Sequence, residues 1–309
     1  MGSRGTCSGS SSPAFPFSLG KSASRPGKHG TFASVKRGKG SFYGRVLGML
    51  RWVLPVYALL GIAIFLLQDR LLFRPVALSP DHRYDFGIPH RERNLRFSES
   101  AVINIIEFPA PVEKRRGIVL YYHGNRRNIG WYARHVGGFH RNGYDVWMID
   151  YPGYGKSTGK LEVDMLFAYA LQMYRLARTQ APSDSIVIYG RSMGTGIAAW
   201  LAAREPARRL ILETPYYSLA SLLSTYLPVY PWDRMIRYGI RTYEYLPDVK
   251  APVTVFQGTA DWTVPLRNAS RLKPFLKPGD EFVTIEGGGH NDLETFPAFR
   301  GKMDSVLAR

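Results

Sequence analysis

The feature that most constrains the fold is an alternation of short strand-like runs with longer helical segments, which begins near residue 100. The strand-like runs are rich in β-branched and aromatic residues, and the segments between them carry apolar residues at helical spacing. This alternation predicts right-handed strand–helix–strand units that build one mainly parallel sheet with helices on its faces. The predicted strands are residues 101–108, 117–122, 145–149, 185–189, 209–212, 253–257 and 281–285. The predicted helices are residues 128–141, 161–178, 193–204, 268–273 and 295–307.

Residues 215–250 interrupt the alternation with a segment that is rich in Tyr and Pro and holds two short helical patterns. Because it lies between two predicted sheet strands, this insertion is predicted to form a small helical lid over a site at the strand ends. The alternative is an ordinary excursion of the chain that packs its aromatic side chains on the core.

An apolar segment precedes the alternating region. Residues 52–68 contain no charged side chain, and extension back to Val46 gives a span of 23 residues that includes Arg51 near its start. A bilayer core needs about 20 apolar residues, and an arginine near one end of a span can reach the headgroup region. The sequence therefore predicts one transmembrane signal anchor at residues 46–68. The alternative, a helix buried in a protein core, is disfavoured because the segment is apolar on all sides.

The charges around this segment predict its orientation. Residues 1–51 hold nine Lys or Arg and no Asp or Glu, so about half of the net charge of +17 lies in and before the anchor. The positive-inside bias then puts the N-terminus in the cytoplasm and the rest of the chain across the membrane. A cleaved signal peptide is disfavoured because no small-residue cleavage site follows closely, whereas an organelle transit peptide also fits the acid-free start.

Residues 1–45 are predicted to form a disordered basic tail, since Ser, Gly, Lys and Pro dominate and no apolar period is visible. The first six residues match the pattern for N-myristoylation, and Cys7 offers a site for a second acyl chain. A competing hypothesis is that residues 1–48 are absent from the mature protein, because Met49-Leu50-Arg51-Trp52 would itself begin an ordinary signal anchor.

The composition narrows the function classes. Cys7 is the single cysteine, so the chain can form neither an internal disulfide nor a multi-thiolate metal site, and no metal or cofactor is predicted. Beyond residue 51 there is no long basic run and no zinc-finger or RNA-recognition signature, so nucleic acid is not an expected partner. The membrane is an expected partner through the N-terminal helix, and the sequence leaves the oligomeric state open.

A serine lies at the junction between a predicted strand and a predicted helix, in the spacing Gly190-x-Ser192-x-Gly194. In a nucleophile elbow the strand-to-helix turn is so sharp that flanking side chains would collide, which explains a glycine at both ends. The turn holds the serine oxygen clear of the sheet, at the positive end of the next helix. A surface turn explains the short pattern equally well, so the decision depends on whether a base and an acid lie nearby.

A serine hydroxyl becomes a nucleophile when a base takes its proton and an acid orients that base. In a parallel sheet, functional residues gather beyond the carboxyl ends of the strands. Asp261 and His290 each follow a predicted strand, and they come after Ser192 in the order serine, acid, histidine. The sequence thus predicts Ser192 as the nucleophile, His290 as the base and Asp261 as the orienting acid.

Other candidates near the strand ends have structural explanations. His123 follows an earlier strand and is interpreted as a hydrogen-bonding strut, and Asp292 and Asp150 are interpreted as a local turn acid and a structural loop residue. Residues 155–157, Gly-Lys-Ser, match the end of a nucleotide-binding P-loop. That match is incomplete, because Asp150 occupies the position of the first glycine. Arg191, inside the elbow, receives no assignment.

Taken together, these motifs resemble the α/β-hydrolase superfamily and are most similar to the membrane-anchored serine hydrolases of the α/β-hydrolase-domain 13 and 17 groups. The motifs that carry the resemblance are YYHGNRRNIG (121–130), DYPGYGKSTG (150–159), YGRSMGTG (189–196), GTADWTVP (258–265) and GGGHND (287–292). The resemblance implies an α/β-hydrolase fold with an eight-stranded, mostly parallel sheet. The hydrolase domain is placed at residues 91–309, after a linker at residues 69–90.

The resemblance also implies an oxyanion hole made of the backbone N–H groups of Asn125 and Met193, with Arg126 as the neighbouring alternative to Asn125. It implies a serine hydrolase that cleaves a small acyl substrate through an acyl-enzyme intermediate. Ester, thioester and amide substrates are not distinguished, so an aminopeptidase-like amide hydrolase stays open. A non-catalytic interaction protein on a hydrolase scaffold is the remaining alternative.

Overall fold

The computed structural model describes residues 40–111, 113 and 115–309. Most of the predicted tail, with its acylation pattern and Cys7, lies outside the described residues. The chain divides into two units, with the boundary between Val53 and Leu54. The second unit holds the sheet, the helices that cover it and every residue of the predicted site.

Eight of the strands in the described residues form one sheet. The strands are β1 Arg74–Pro75, β2 Arg91–Arg96, β3 Val102–Phe108, β4 Gly117–Tyr122, β5 Arg126–Arg127, β6 Tyr144–Ile149, β7 Ile186–Arg191, β8 Arg209–Glu213, β9 Val253–Gly258 and β10 Glu281–Ile285. The sheet order is β10–β9–β8–β7–β4–β6–β3–β2, and β1 and β5 form a separate parallel pair. β3 runs antiparallel to β2 and β6, and the remaining neighbours in the sheet are parallel. The prediction of a mostly parallel sheet of eight strands is confirmed.

Helices cover both faces of this sheet. The α-helices of the described residues are α1 Gly40–Leu66, α2 Gln68–Leu72, α3 Ile129–Tyr132, α4 Val136–His140, α5 Val163–Arg178, α6 Gly194–Ala202, α7 Leu219–Tyr226, α8 Trp232–Met235, α9 Thr242–Tyr245, α10 Leu266–Ala269 and α11 Pro297–Ala308. The buried side chains of α5 and α6 belong to the core on one face, and those of α4 and α11 belong to the core on the other. The α/β-hydrolase fold expected from the resemblance is therefore present.

The central strand β4 shows why an uninterrupted apolar run becomes a strand here. Its side chains point alternately to the two faces of the sheet. Leu120 and Tyr122 enter one core, while Val119 and Tyr121 enter the other. Because helices cover both faces, the residues on each face must be apolar. The strand therefore reads as a continuous apolar run, GIVLYY.

The edge of the sheet departs from this rule, and the sequence does not predict the strand that lies there. β2 has the sequence RERNLR, and most of its residues are exposed. Its pairing with β3 is held in part by an ion pair between Arg93 and Glu107. An edge strand faces water, so its charged pattern does not carry the strand signal that the buried strands carry.

The insertion contains α7, α8 and α9, and it contacts the chain segment that follows residue 54. Tyr57 stacks on Tyr230 with 4.6 Å between ring centroids. The side chain of Gln68 donates a hydrogen bond to the carbonyl of Met235 at 2.8 Å and accepts one from the N–H of Arg237 at 2.9 Å. These contacts fasten the insertion to residues 57–68. Its role as a lid stays a prediction.

α1 covers residues 46–66 of the predicted anchor at residues 46–68. Within the described residues, Phe42–Leu66 is one helix that is long and apolar enough to cross a membrane, and nearly all of its side chains are exposed. The exposure of this apolar helix disagrees with the alternative of a helix buried in a protein core.

Candidate active site

The turn that follows β7 has the geometry of a nucleophile elbow. Ser192 lies between β7 and α6 and has a φ of 52°, which is strained for a residue with a side chain. A Cβ atom on Gly190 would lie 2.5 Å from the carbonyl oxygen of Gly194, and one on Gly194 would lie 2.0 Å from that of Tyr122. Glycine is therefore required at both ends of the motif by the packing of the turn.

The structure brings the three predicted triad residues together. His290 Nε2 lies 2.9 Å from Ser192 Oγ, and His290 Nδ1 lies 2.8 Å from Asp261 Oδ2. Ser192 follows β7, Asp261 follows β9 and His290 follows β10, so all three lie beyond the carboxyl ends of parallel strands. This is the hydrogen-bonded chain that proton transfer from a serine hydroxyl to a histidine requires.

Asp261 is held in place as an acceptor. Its carboxylate is buried, and Oδ1 accepts hydrogen bonds from the N–H groups of Thr263 and Val264, both at 2.8 Å. Gln257 donates to Oδ2 at 3.2 Å, beside the bond from His290. These donors compensate for the burial of the charge and fix the oxygen that orients the imidazole.

The two predicted oxyanion donors lie on the same side of Ser192. Asn125 and Met193 both line a small cavity that reaches Ser192. The other polar groups of Asn125 are occupied, since its carbonyl accepts from the Arg74 N–H at 2.9 Å and its side chain donates to the Leu72 carbonyl at 2.7 Å. Among the described residues, neither the Asn125 N–H nor the Met193 N–H has an acceptor. Both N–H groups are thus free to bind a substrate oxygen.

The remaining histidines and acids near the strand ends have partners of their own. His123 and Asp150 are fully buried, and His123 Nε2 lies 3.2 Å from Asp150 Oδ1. Asp150 also accepts from the N–H of Ile129 at 3.0 Å, and burial raises the pKa of its carboxyl group. Asp292 accepts from the N–H of Gly289 at 2.7 Å and so closes the turn before His290. None of these contacts leads to Ser192.

The partial P-loop motif is also occupied by internal contacts. Lys156 forms a salt bridge with Glu92 at 2.8 Å. The hydroxyl of Ser157 donates to the carbonyl of Asp150 at 2.6 Å and accepts from the N–H of Asn104 at 2.8 Å. The lysine and hydroxyl that would bind a nucleotide instead tie the loop to β2 and β3.

Arg191, which the sequence left without assignment, has a side chain 2% exposed and lies at the cavity that Ser192 and His290 border. Its Nη1 donates to His135 Nε2 at 2.9 Å and lies 3.3 Å from Glu213 Oε1. Its Nη2 donates to the carbonyl oxygen of His290 at 3.5 Å. Arg191, His135 and Glu213, together with Tyr189, which donates to Glu213, form what we call the rear cluster. This cluster connects β7 and β8 to the backbone of the predicted base.

The side chains of the rear cluster are polar and largely buried beside a cavity of about 360 Å³, and this burial shifts the pKa values of its titrating groups. Burial, and secondly the charge of Arg191, lower the pKa of His135 to about 2. Burial raises the pKa of the Glu213 carboxyl well above its usual value. His135 is therefore neutral at physiological pH, which agrees with its acceptance of a hydrogen bond from a guanidinium group. No sequence pattern connects these residues, because they meet only through sheet pairing and the loop after β10.

Comparison with known proteins places the chain among hydrolases. The Hydrolase_4 family model, described as serine aminopeptidase S33, matches residues 113–232. An uncharacterized protein of Mycobacterium tuberculosis is 30% identical over 190 residues, which cover 61% of this chain and 67% of that protein. Alpha/beta hydrolase domain-containing protein 17C of Xenopus tropicalis is 26% identical over 197 residues, which cover 62% of each chain.

Solved structures share the fold. An esterase of Pyrococcus furiosus superposes with a TM-score of 0.61 and 16% sequence identity, over 76% of this chain and 97% of the esterase. At this identity the likeness concerns the fold alone. The fold, the family model and the relatives agree on one superfamily.

Proposed function

The chain belongs to the α/β-hydrolase superfamily, and we propose that it is a membrane-anchored serine hydrolase that cleaves an ester or thioester through an acyl-enzyme intermediate. The observation that carries the proposal is the continuous hydrogen-bonded chain from Ser192 through His290 to Asp261, at 2.9 and 2.8 Å. The strained backbone at Ser192 supports it, because such strain is retained where it serves a function.

Each group in the site has a role in this reaction. His290 Nε2 takes the proton of Ser192 as Oγ attacks the substrate carbonyl, and Asp261 stabilises the imidazolium that forms. The negative charge that develops on the carbonyl oxygen is bound by the N–H groups of Asn125 and Met193. Loss of one such donor typically costs about 100- to 1000-fold in rate. His290 then returns the proton to the leaving group, and water repeats the sequence to release the acid.

The lining of the site favours an acyl ester over a peptide. An aminopeptidase must bind the free ammonium group of its substrate next to the scissile carbonyl, and a buried ammonium group needs a carboxylate partner. Among the described residues that line the two cavities touching Ser192, none is Asp or Glu. An aminopeptidase-like activity is therefore the weaker candidate, although the matching family model is described as serine aminopeptidase.

A fluorophosphonate probe tests the nucleophile. The full chain in detergent micelles should be labelled, and Ser192→Ala should not be. Ser224→Ala is the matched control, since Ser224 is an exposed serine on α7 and should leave labelling unchanged. Equal labelling of Ser192→Ala and the unmodified chain would remove Ser192 from the mechanism and would favour the non-catalytic alternative.

Membrane anchoring by α1 is the second part of the proposal, supported by the length and exposure of its apolar surface. The excess of basic residues before it puts the N-terminus in the cytoplasm and the hydrolase domain on the opposite side. In sealed microsomes, added protease should remove an N-terminal tag and leave the hydrolase domain intact. Digestion of the domain with a protected tag would reverse the orientation.

A further inference from the structure

The leaving group and the acyl group of a substrate must lie on different sides of Ser192. The leaving atom receives its proton from His290 Nε2, so the leaving group lies on the His290 side. The carbonyl oxygen lies between the Asn125 and Met193 N–H groups, which directs the acyl chain away from His290. Two cavities meet at Ser192, and only one of them is lined by His290.

The cavity without His290, which we call the acyl cavity, is small and apolar. Its walls are mainly the side chains of α2, α7 and the start of α6, including Leu72, Met193, Leu219 and Leu222. Its volume is about 110 Å³. Since a cavity of ~150 Å³ holds benzene, this one accommodates an acyl chain of about four carbons. Apolar surface of this kind binds a saturated chain and rejects a charged one.

The cavity with His290, which we call the leaving-group cavity, is larger and basic. Its volume is about 230 Å³, and its lining includes Arg126, Arg127, Trp131 and Asn291. Neither Arg126 nor Arg127 has an acidic partner among the described residues, and both are exposed at the mouth. Unpaired guanidinium groups in such a position suit a phosphate or carboxylate, which they can bind through two parallel hydrogen bonds.

Strand pairing fixes the backbone at these two arginines. β5 consists of Arg126 and Arg127 and pairs with β1, where the N–H of Val76 donates to the carbonyl of Arg127 at 3.2 Å. Arg127 has a φ of 63°, a conformation that costs energy for a residue with a side chain. Its guanidinium carbon lies 6.0 Å from the centre of the Trp131 ring, at the limit of a cation–π contact. This strain is maintained next to the catalytic serine, not in a remote turn.

We infer that the substrate is a short-chain ester or thioester whose leaving group carries an anion, with the acyl chain in the acyl cavity and the anion on Arg126 and Arg127. This inference rests on the proposed function, because it uses Ser192 and His290 to orient the substrate. The anion of the leaving group is a phosphate or a carboxylate, and it lies close to the scissile bond.

Matched aryl esters test the charge preference with the full chain in uncharged detergent micelles. 4-Carboxyphenyl and 4-phosphonooxyphenyl butyrate carry the anion, and 4-carbamoylphenyl butyrate is the neutral counterpart. In the Arg126→Gln/Arg127→Gln variant, the anionic-to-neutral ratio of kcat/KM should fall about tenfold, the effect of one partly solvated charge-assisted hydrogen bond. Comparison of the carboxylate and phosphate esters identifies which anion the site prefers.

Arg175→Gln is the matched control, because Arg175 is an exposed arginine on α5 that contributes to neither cavity. It should leave the ratio within about twofold of the unmodified chain, as expected for a charge outside the site. The single variants Arg126→Gln and Arg127→Gln serve if the double variant does not fold. An unchanged ratio in the arginine variants, or an equal loss on neutral and anionic esters, would overturn the anion site.

A series of acyl lengths tests the acyl cavity. From acetyl to butyryl, kcat/KM should rise about fourfold per methylene, the effect of burying one CH₂ group. It should fall beyond about five carbons, where the cavity is full. Leu222→Ala should move the optimum to longer chains. A steady rise to dodecanoyl esters in the unmodified chain would contradict a short acyl group.

The failures of the two proposals are distinguishable. If the unmodified chain hydrolyses no ester and Ser192 is not labelled by fluorophosphonate, the proposed function fails and the substrate inference fails with it. If the chain hydrolyses esters without preference for charge or acyl length, only the substrate inference fails.

Discussion

Buried charged residues lie on both sides of His290, but they contact different parts of it: Asp261 contacts the imidazole, and Arg191 contacts the backbone carbonyl. On the front, Ser192 and the imidazole of His290 border a cavity, and the buried Asp261 is supported by backbone N–H groups. On the rear, Arg191 and Glu213 are each 2% exposed. Arg191 also lines the cavity beside Ser192, and its hydrogen bond to His290 goes to the backbone carbonyl. We therefore expect the front to perform chemistry and the rear to act mainly through the position of His290 and through stability.

This difference gives the two sides separate signatures. A change at the front should alter the rate of the reaction with little effect on folding. A change at the rear should alter stability and its pH dependence, and should affect the rate only through the placement of His290. The predictions below test this separation in order of decreasing effect.

The largest effect is expected from the front residues that act as one unit. Ser192→Ala and His290→Ala should each reduce kcat by roughly 10⁵- to 10⁶-fold, and the double variant should be no worse, because both remove the same proton transfer. Rates on p-nitrophenyl butyrate measure this. Losses that multiply in the double variant would show that the two residues do not act together.

The next effect concerns the Met193 N–H. Met193→Pro removes this donor and should reduce kcat about 100- to 1000-fold. The φ of Met193 is −50°, which the proline ring tolerates. Met193→Leu keeps the N–H and should cost no more than about fivefold, since it changes only the wall of the acyl cavity. Circular dichroism verifies that both variants are folded, and equal rates for the two would exclude this N–H from the oxyanion hole.

A smaller effect on rate is expected at the rear. Arg191→Met should lower kcat about tenfold, because the His290 backbone loses a hydrogen-bond donor and the imidazole is held less precisely. It should also lower the free energy of unfolding by about 1–3 kcal/mol, since the buried His135 ring loses its hydrogen-bond donor and Glu213 loses its neighbouring guanidinium.

Two further variants separate the effect of Arg191 on the position of His290 from its effect on the stability of the fold. Arg191→Met/Glu213→Gln should recover most of the lost stability without recovering kcat. Arg191→Lys should recover part of both. If kcat returns together with stability in the double variant, Arg191 has only a structural role.

The smallest effect is a change in the pH dependence of stability. The folded pKa of His135 is about 2, and an unfolded histidine has a pKa of about 6.5. Below pH 6.5 the unfolded chain therefore binds a proton that the folded chain does not, and this group lowers stability by up to about 1.4 kcal/mol per pH unit.

His135→Gln should remove that contribution and flatten the decline of stability between pH 6.5 and pH 4. The measurement is denaturant unfolding in micelles across this range. His82→Gln is the control, since His82 is exposed and should leave the pH slope unchanged. A slope in His135→Gln that equals the slope of the unmodified chain would show that His135 is protonated in the folded state.

The same contrast explains what could be predicted from sequence. The buried strands were predicted to within two residues, because strands covered on both faces are continuous apolar runs. The proximity of Ser192, Asp261 and His290 could be predicted because each follows such a strand, and parallel strands bring their carboxyl ends together. β2 was not predicted because most of its side chains are exposed and charged, so its sequence lacks the apolar run of a buried strand.

The rear cluster could not be predicted for a different reason. His135, Arg191 and Glu213 lie on separate elements, and none follows a recognisable motif. They meet because β7 pairs with β8, with Arg191 opposite Glu213, while the turn before α4 places His135 over the same edge. Register and helix placement determine such contacts, and local sequence periodicity does not encode them.

The most direct test of the central claim is to trap the acyl-enzyme. The full chain is mixed with p-nitrophenyl butyrate, quenched with acid within one turnover and analysed by intact mass and peptide mapping. The account predicts the added mass of one butyryl group on the peptide that contains Ser192, and no addition in Ser192→Ala. A butyryl group on another residue, or hydrolysis without any covalent species and with full activity in Ser192→Ala, would contradict it.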